Sequence, residues 1–320
     1  MQDQMGRSID YLRVSVTDRC NLRCVYCMPP EGIPLLPRQD LLSFEEIERV
    51  CICAARLGIT KLKLTGGEPL TRLGLPDLAR RLRAVPGIQQ VTITTNGVLL
   101  KEYAADLADA GIEIVNVSLD SFRPDQFFKI TRRDCLPQVL QGISAALSAG
   151  LQVRINCVPS YASDWEDLLS IAELAKDSPI DVRFIEEMPI GQGDMGAGIP
   201  SQELRSLLAS RYGPLTPVGQ KGNGPAVYET LEGFTGRIGF ISAVTEKFCH
   251  RCNRIRLTSA GFLKLCLDSD EGLDLRKLLR EGIGDSELLS RMQDAIAHKP
   301  KGHQFGIHHP FPSSMSQIGG

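Results

Sequence analysis

LRVSVTDRCNLRCVYC, residues 12–27, is the most informative stretch of the chain, because it joins a predicted β-strand to three closely spaced cysteines. Residues 12–16 alternate apolar and polar side chains, which is typical of a strand. Cys20, Cys24 and Cys27 follow in one short loop. Such a loop can wrap one corner of a compact metal centre. The stretch therefore predicts a strand that leads into a metal-binding loop.

Strands and helices alternate through the first two thirds of the chain. A capping box that begins at Ser43 opens the first helix, and Gly58 ends it. Six successive strand–helix units predict a parallel sheet of the α/β class, whose chemistry lies at the carboxyl ends of the strands. The strands after the first are predicted at residues 61–65, 91–95, 112–118, 153–158 and 182–186, and the helices at residues 43–57, 75–84, 101–110, 137–149, 165–176 and 201–211.

A stretch rich in glycine and proline begins at Gly213 and divides the chain. We therefore predict one domain over residues 1–212 and a smaller one over residues 213–320. The second part has short strand-like runs and two helical patterns, which predict an α+β arrangement. The runs lie at residues 237–242, 255–257 and 262–267, and the helical patterns at residues 273–280 and 286–297.

The overall composition excludes several classes of protein. The 320 residues carry a net charge of −2, which argues against a bulk nucleic-acid binder. No apolar run is long enough to span a bilayer, and charged residues within positions 1–19 argue against a signal peptide. We therefore expect a cytoplasmic protein with neither a membrane nor a nucleic acid as partner. In such a protein, clustered cysteines more often bind metal than form disulfides.

The ten cysteines fall into three groups. Cys51 lies in a helical pattern and Cys157 in an apolar strand, where free cysteine packs as a small hydrophobe. Cys53 and Cys135 receive no role from the sequence. The remaining six form two triplets, Cys20, Cys24 and Cys27 near the start and Cys249, Cys252 and Cys266 near the end.

The first triplet is one ligand short of a complete metal site. A structural zinc ion requires four ligands, and a cubane iron–sulfur cluster usually takes four thiolates. Three cysteines leave one iron open, so the missing ligand indicates a site that binds an exogenous group. With Tyr26 before the third cysteine and Gly66-Gly67-Glu68-Pro69 after the second strand, the triplet resembles the signature of radical S-adenosylmethionine (SAM) enzymes.

The resemblance implies a partial (β/α)6 TIM-like barrel and a [4Fe–4S] cluster whose open iron chelates SAM. Gly67 has no side chain, so its backbone can approach the methionyl amino group. Tyr26 is expected to contact the adenine. Ser118 and Met188 match family positions that line the SAM pocket.

The second triplet on its own also fits an incomplete zinc ribbon. Arg254 and Arg256 follow it, and on a strand their side chains point to one face, where two guanidinium groups can grip a polyphosphate. In the zinc-ribbon interpretation, the fourth ligand would be His250 or one of the tail histidines His298, His303, His308 and His309.

The chain resembles the GTP 3′,8-cyclase family of molybdenum cofactor biosynthesis over essentially its whole length. The matching segments are Gly6-Arg7, residues 12–21, residues 94–97, residues 116–120, residues 183–186 and the terminal Ile318-Gly319-Gly320. The resemblance implies radical SAM cyclisation of GTP to (8S)-3′,8-cyclo-7,8-dihydroguanosine 5′-triphosphate, a lyase reaction. It implies a second [4Fe–4S] cluster in the C-terminal extension that binds the substrate, and a tail that reaches into the active site.

The resemblance also implies a mechanism and a set of substrate residues. The first cluster reduces SAM, the resulting 5′-deoxyadenosyl radical abstracts the 3′ hydrogen of GTP, and the C3′ radical attacks C8 of guanine. Arg13 is expected near the base, where it could assist proton transfer as the catalytic residue. The family usually has arginine at the position of Lys63 and lysine at that of Arg154. The residues assigned to GTP are Arg13, Lys63, Thr94, Arg154, Arg254 and Arg256, whereas Arg183 receives no contact.

Three matters stay open in the sequence. The chain could instead be a radical SAM enzyme that modifies a peptide and carries an auxiliary cluster, or a non-catalytic zinc-binding module. The family implies an electron donor and a downstream partner, cyclic pyranopterin monophosphate synthase. The oligomeric state is not given, and a homodimer is among the alternatives.

Overall fold

The computed structural model describes residues 1–193, 197–219, 224–305 and 315–319. Six parallel strands from the first two thirds of the chain lie side by side in chain order, which confirms the predicted strand–helix units. The strands are β1 (Tyr11–Ser15), β2 (Lys61–Thr65), β3 (Gln90–Thr95), β4 (Ile114–Ser118), β5 (Gln152–Cys157) and β6 (Asp181–Ile185).

Seven helices accompany these strands. The capping box predicted at Ser43 is present, because its hydroxyl accepts from Glu46 N and the Glu46 carboxylate accepts from Ser43 N. One helix, over Pro124–Thr131, was not predicted. The helices are α1 (Phe44–Arg56), α2 (Leu75–Arg83), α3 (Leu100–Asp109), α4 (Pro124–Thr131), α5 (Leu136–Ser148), α6 (Trp165–Asp177) and α7 (Ser201–Tyr212).

The C-terminal part of the chain extends the same sheet at both edges. Strand β9 (Ile238–Ile241) pairs in parallel with β6, and β10 (Arg254–Leu257) pairs in parallel with β1. Antiparallel strands complete both edges, so the sheet is an open, partial barrel of α/β class. The remaining elements are β7 (Thr216–Pro217), β8 (Val227–Thr230), β11 (Phe262–Lys264), β12 (Gly272–Asp274), α8 (Leu275–Arg280), α9 (Asp285–Ala297) and α10 (Met315–Ile318).

The sequence did not indicate that both parts of the chain share one sheet. The domain division at residue 213 stays a prediction. The predicted strand at residues 262–267 ends earlier, at Lys264, so that Cys266 lies beyond it. The pattern at residues 273–280 begins as strand β12 and becomes helical only at Leu275. None of the helices in the described ranges is long and apolar enough to cross a membrane.

The two faces of the sheet differ in polarity, because successive side chains of a strand point to opposite sides. Leu12 and Val14 on β1 are fully buried in the core that packs against the helices, as are Leu62 and Leu64 on β2. The alternate residues face inward and line a cavity. The inner face of the barrel is therefore where polar side chains collect.

Candidate active site

The cavity inside the partial barrel has a volume of about 1070 Å³ and brings both cysteine triplets to one space. All six cysteines of the triplets line it, together with Tyr26, Gly67, Ser118 and Met188. The residues predicted to bind GTP line it as well, namely Arg13, Lys63, Thr94, Arg154, Arg254 and Arg256. The structure thus gathers every predicted site residue around one cavity.

The first triplet lies in the loop that follows β1. The turn is held by Cys24 O, which accepts from Cys27 N at 3.0 Å and from Met28 N at 3.1 Å. Burial, with a smaller contribution from Glu68, raises the pKa of Cys20 to about 12, and burial raises the pKa of Cys27 to about 11. Sulfur ligands held in such a place ionise readily only beside a strong positive charge, such as the irons of a cluster.

Helix α4, which sequence reasoning missed, holds this loop in place. Arg23 N donates to Thr131 O at 3.0 Å, and Val25 N donates to Ile130 O at 2.9 Å. Arg132, the residue after the helix, donates from Nη1 to both Arg23 O and Met28 O at 2.9 Å. Its φ of 55° is left-handed, and it is the one non-glycine residue of the described chain with a positive φ. Backbone strain at a non-glycine residue is usually retained for a function, and here Arg132 holds the cysteine loop.

The Gly66-Gly67 turn packs directly on the cysteine loop. A Cβ atom on Gly67 would lie 2.4 Å from Arg19 O, which is closer than any real contact. The turn also pairs with the loop, since Gly67 N donates to Thr17 O at 2.8 Å and Glu68 N donates to Arg19 O at 2.7 Å. The absent side chain thus serves backbone packing here, in addition to any approach of a ligand.

The Glu68 carboxylate is fully buried behind this turn. It accepts from Leu70 N at 3.0 Å, Thr95 Oγ1 at 2.7 Å and Asn96 N at 2.6 Å. Burial nevertheless raises its pKa to about 7, because these hydrogen bonds only partly offset the lost hydration. The carboxylate joins the ends of β2 and β3 beside the first triplet.

Tyr26 has a partner that the sequence did not indicate. Its hydroxyl donates to Asp120 Oδ2 at 2.8 Å, while Val158 N donates to Asp120 Oδ1 at 2.7 Å. Burial raises the pKa of Asp120 to about 6. The position of Asp120, two residues beyond the end of β4, was a usable signal for this role. Ser118 ends β4 and Met188 lies beyond β6, both at the predicted edge.

The second triplet lies at the amino end of β10, the strand between β1 and β11 in the sheet. Cys249 begins a short 3₁₀ turn, Cys252 follows it, and Cys266 comes after β11. Burial alone would raise the pKa of Cys252, but the charges of Arg254 and Lys299, with hydrogen bonds from Arg254, outweigh burial and lower it to about 7. Cations thus surround the second triplet.

Arg7 connects the region of the second triplet to the start of the chain. Its Nε donates to Asp3 Oδ2 at 2.6 Å. Its two terminal nitrogens donate to four backbone carbonyls, at distances of 2.7 to 3.1 Å. All five guanidinium hydrogens are therefore used, on Asp3 and on the carbonyls of Cys249, Lys299, Pro300 and Lys301. The sequence match at Gly6-Arg7 did not reveal this role.

The donor geometry bears on which metal group would fit. Within residues 1–193, 197–219, 224–305 and 315–319, no three His, Cys, Asp or Glu side chains come close enough to hold a single metal ion. A cubane cluster binds each thiolate to a different iron and so needs its cysteines farther apart than one zinc does. Each triplet offers three thiols to the cavity, the number that a cubane cluster with one open iron takes.

The histidines considered as zinc ligands differ in their surroundings, and among those described only His303 lines the cavity, with its Nδ1 buried and without a hydrogen-bond partner among the described residues. His250 is exposed. The ring of His298 lies on Asp294 O at 2.7 Å. His303 lines the cavity, but its Nε2 lies 3.0 Å from Ala243 O. His308 and His309 lie outside the described residues.

Cationic side chains crowd the inner face of the barrel. The strand register places Arg13 beside both Lys63 and Arg256. Burial, with the charges of Arg183, Arg13 and other arginines, holds the pKa of Lys63 well below its usual range. Burial, with the charges of Arg254 and Arg183, lowers the pKa of Arg13 to about 10. Such a cluster of like charges is relieved by an anion.

Arg183, left without a contact by the sequence, joins this cluster. It lines the cavity and donates from Nη2 to Asn116 Oδ1 on β4, which leaves its Nε buried without a partner among the described residues. Thr94 Oγ1 is likewise buried and unpaired there. The Nε of Arg154 lies 3.4 Å from the Asp181 carboxylate, which also forms a shorter ion pair with Arg237. Among the described residues, the Arg183 Nε and Thr94 Oγ1 atoms of this part of the cavity therefore have no protein partner and can bind a ligand.

The C-terminal segment enters the same cavity. Gly319 O accepts from Arg256 Nη1 at 2.6 Å, and a Cβ on Gly319 would lie 3.0 Å from both Ser15 and Thr65 side chains. Met315 and Ser316 also line the cavity. Gly320 lies outside the described residues. The tail thus contacts one of the arginines assigned to GTP.

Comparison with known proteins identifies the family. A family model described as the Radical SAM superfamily matches residues 14–181, and one described as Molybdenum Cofactor Synthesis C matches residues 180–305. Among solved structures, SuiB of Streptococcus suis is similar, with a TM-score of 0.62 at 15% identity over 92% of this chain. That match covers 66% of SuiB, slightly less than two thirds of its length, and at this identity it shows the fold alone.

Curated relatives match over the full length. The GTP 3′,8-cyclase of Pelotomaculum thermopropionicum is 46% identical over 325 residues, and that of Heliobacterium modesticaldum is 44% identical over 330 residues. The GTP 3′,8-cyclase of Moorella thermoacetica is 43% identical over 324 residues. Each match covers 100% of this chain and 100% of the relative. On these matches, the chain belongs to the GTP 3′,8-cyclase family of the radical SAM superfamily.

Proposed function

We propose that this chain cyclises GTP to (8S)-3′,8-cyclo-7,8-dihydroguanosine 5′-triphosphate, a radical SAM reaction of the lyase class early in molybdenum cofactor biosynthesis. One observation carries the proposal. A single cavity is lined by both cysteine triplets and by a cluster of buried cations, so two metal centres and a polyanion can meet there.

Each triplet would hold one [4Fe–4S] cluster with an open iron. When bound, the first cluster and SAM supply a 5′-deoxyadenosyl radical that abstracts a ribose hydrogen, and the second cluster supplies a site for the purine. Cys20, Cys24 and Cys27 are the ligands of the first in this proposal, and Cys249, Cys252 and Cys266 those of the second. The role of the second cluster rests on the family resemblance and on the location of its triplet in the same cavity.

Four residues would form the SAM pocket beside the first triplet. Tyr26 is fixed by its hydrogen bond to Asp120, so that its ring can contact the adenine. The Gly66-Gly67 turn presents backbone groups at the carboxyl end of β2, and Ser118 and Met188 close the pocket from β4 and β6. Because these residues would fix the orientation of bound SAM, little further entropy is lost when it reacts.

The cationic residues would bind and orient the triphosphate. Arginine makes bidentate contacts to phosphate, whereas lysine acts as a point charge. The exchange at Lys63 and Arg154 therefore keeps the charge on β2 and β5 but changes the donors that each strand offers. The proposed GTP ligands are Arg13, Lys63, Thr94, Arg154, Arg254 and Arg256, and the buried Nε of Arg183 supports adding that residue.

Arg13 would also act near the base. Its lowered pKa, about 10, makes the guanidinium a stronger acid than usual while it stays protonated at neutral pH. A positioned acid of this kind can donate a proton to a nitrogen of the purine after ring closure. We keep the remaining expectations as parts of the proposal, namely an electron donor, cyclic pyranopterin monophosphate synthase as the next enzyme, and a cytoplasmic location.

The decisive test is anaerobic reconstitution followed by incubation with SAM, GTP and a reductant. We expect a brown protein with about eight irons per chain, four per cubane, and formation of the cyclic nucleotide. Replacing Cys249, Cys252 and Cys266 together by alanine should halve the iron and spare SAM cleavage but abolish the cyclic product. The matched replacement of Cys20, Cys24 and Cys27 should abolish both. Product formation without the second triplet would show that its assigned role is wrong.

The same experiment judges the two alternatives. A zinc-binding module would give a colourless protein with zinc and no SAM cleavage. A peptide-modifying enzyme would show both clusters and SAM cleavage but no cyclic nucleotide from GTP. The cation cluster favours the cyclase over the second alternative, since a triphosphate requires it and an uncharged peptide segment does not.

A further inference from the structure

The cavity also reaches the opposite side of the barrel. Gln89, Glu113 and Gly150 precede strands β3, β4 and β5, and all three are exposed while lining the same cavity as the cysteine triplets. We call the opening among these three residues the far mouth. The active-site cavity therefore has an opening at the amino ends of the strands as well.

The far mouth exists because the inner face lacks the usual packing. In a filled α/β barrel, layers of branched apolar side chains close the interior. Here the first inward positions of β2, β3 and β5 are Lys61, Gln90 and Gln152, which are only partly buried, whereas β4 between them contributes the buried Ile114. Long, flexible polar side chains cannot seal the barrel as Val or Ile would. The opening follows from the sequence of the strands.

The cations lie close to this opening. Lys63 and Arg154 each follow by two residues a side chain at the start of its strand, which is about 7 Å along the strand. Arg183 lies one strand further, on β6. If the purine lies by the second triplet, as the proposed function requires, the triphosphate extends along these cations and its last phosphate comes nearest the far mouth.

We propose that the far mouth leaves the γ-phosphate facing solvent, so that the enzyme accepts GTP carrying a large group on that phosphate. The ligand class is a guanosine triphosphate with an ester or amide on the γ-phosphate. This inference rests on the proposed function and adds to it which end of the substrate is unrestricted. The ribose and base would instead lie between the two cysteine triplets, where the proposed chemistry takes place.

The test uses the reconstituted enzyme and two labelled nucleotides. One carries a fluorophore through an amide on the γ-phosphate, and the other carries the same fluorophore on the 2′-hydroxyl. We expect kcat/KM for the γ-labelled compound within about fivefold of GTP, and a loss of more than about 100-fold for the 2′-labelled one. Rejection of the γ-labelled compound by an enzyme that cyclises GTP would overturn the inference and leave the proposed function intact.

A variant at the far mouth locates the exit. Ala149 follows helix α5, lines the cavity beside Gly150 and is not one of the proposed ligands. Ala149→Trp should leave kcat/KM for GTP unchanged and lower that for the γ-labelled compound about tenfold by filling the opening. Ala149→Ser is the matched control and should change neither. An unchanged rate for the γ-labelled compound in Ala149→Trp would show that the label leaves elsewhere.

A binding measurement separates this inference from the reaction. The γ-labelled compound bound without SAM should remain open to quenching by iodide, nearly as much as the free compound, and Ala149→Trp should weaken its binding. If GTP is not cyclised at all, this measurement still decides whether the far mouth admits the γ-substituent. A bound label that iodide cannot reach would contradict the open mouth.

Discussion

The surroundings of the two cysteine triplets differ in charge. Two buried carboxylates, Glu68 and Asp120, lie beside the first triplet, where burial raises the pKa values of Cys20 and Cys27 and Glu68 adds to the effect at Cys20. Cations lie beside the second, and the pKa of Cys252 is lowered. Under the proposed function, the carboxylates beside the first triplet suit the sulfonium of SAM, and the cations beside the second suit the anionic substrate. The same three-cysteine arrangement is thus directed toward different ligands by its neighbours.

The two triplets are also held by different means. The first depends on close backbone packing, with Gly67 against the loop and α4 behind it. The second depends on one long side chain, Arg7, which joins four carbonyls from distant parts of the chain. Substitutions can therefore damage one region while sparing the other.

We expect the largest effect from Gly67→Ala. The new Cβ would overlap Arg19 O at 2.4 Å, and backbone on both sides would have to shift. A displacement of about 1 Å at a reacting centre can cost roughly 100-fold in rate, so SAM cleavage should fall by about that factor. SAM cleavage is measured by release of 5′-deoxyadenosine.

Gly302→Ala is the counterpart in the second region. Its Cβ would approach the Cys249 side chain at 3.0 to 3.2 Å, which a small movement relieves. SAM cleavage should stay near wild type and cyclic product should fall only a few-fold. Equal losses of SAM cleavage in the two glycine variants would contradict the proposed difference in packing.

Arg7→Ala should damage the second region alone. The change leaves Asp3 buried without its ion-pair partner, which costs about 3–5 kcal/mol, and it releases the carbonyl of Cys249. We expect a lower melting temperature, an iron content near half, and SAM cleavage without cyclic product. Arg80→Ala removes an exposed pair with Asp77 and should change none of these. Full iron content in Arg7→Ala would rule out the anchoring role.

Arg132 offers a smaller effect on the first region. Arg132→Ala removes two hydrogen bonds of about 1 kcal/mol each, so the dissociation constant of SAM should rise by roughly 30-fold at most. Arg132→Gly relieves the positive φ but also removes the guanidinium, and it should weaken SAM to a similar degree. Restoration of SAM affinity by glycine would mean that backbone conformation alone matters there. Calorimetry or the SAM-induced change in the cluster's electron paramagnetic resonance spectrum would measure it.

The smallest expected effect is a pH dependence in the cluster-free protein. Glu68, with its pKa raised from 4.5 to about 7, keeps a proton in the folded state that the unfolded chain loses. Stability should therefore fall as pH rises from about 4.5 to 7 and level off above that range. Glu68→Gln should reduce this slope in melting temperature, and Asp120 should account for part of the remainder, while the exposed Glu102→Gln should leave it unchanged. An identical slope in Glu68→Gln would show that this carboxylate is not the cause.

Many of the strands and helices, and the cysteine loop, could be predicted from local sequence. Alternating side chains at residues 61–65 and capping signals at Ser43 predicted strands and helices within one or two residues, because both patterns act over short range. The end of the first helix before Gly58 and the cysteine spacing are equally local. The family resemblance then supplied the site residues, all of which line the cavity.

The parts that were missed depend on long-range contacts. Nothing near β9 or β10 in the sequence specifies that they pair with β6 and β1. The same holds for Arg7 and the carbonyls near residue 300, and for Arg183 and Asn116. Helix α4 is different, since Pro124 at its first position and Asp125 in its first turn were local signals that went unused.

The pairing of β10 with β1 has a consequence for electron transfer. The first triplet follows the carboxyl end of β1, and the second precedes β10, whose Arg254 pairs with Tyr11 at the amino end of β1. Asn253 strengthens this end by donating to Asp10 at 2.7 Å. Under the proposed function, the two clusters would thus sit near opposite ends of one ladder of roughly 15 Å, at about 3.3 Å per residue. The hydrogen bonds of one sheet, and no hinge between separate sheets, would then hold the two cluster sites at their separation.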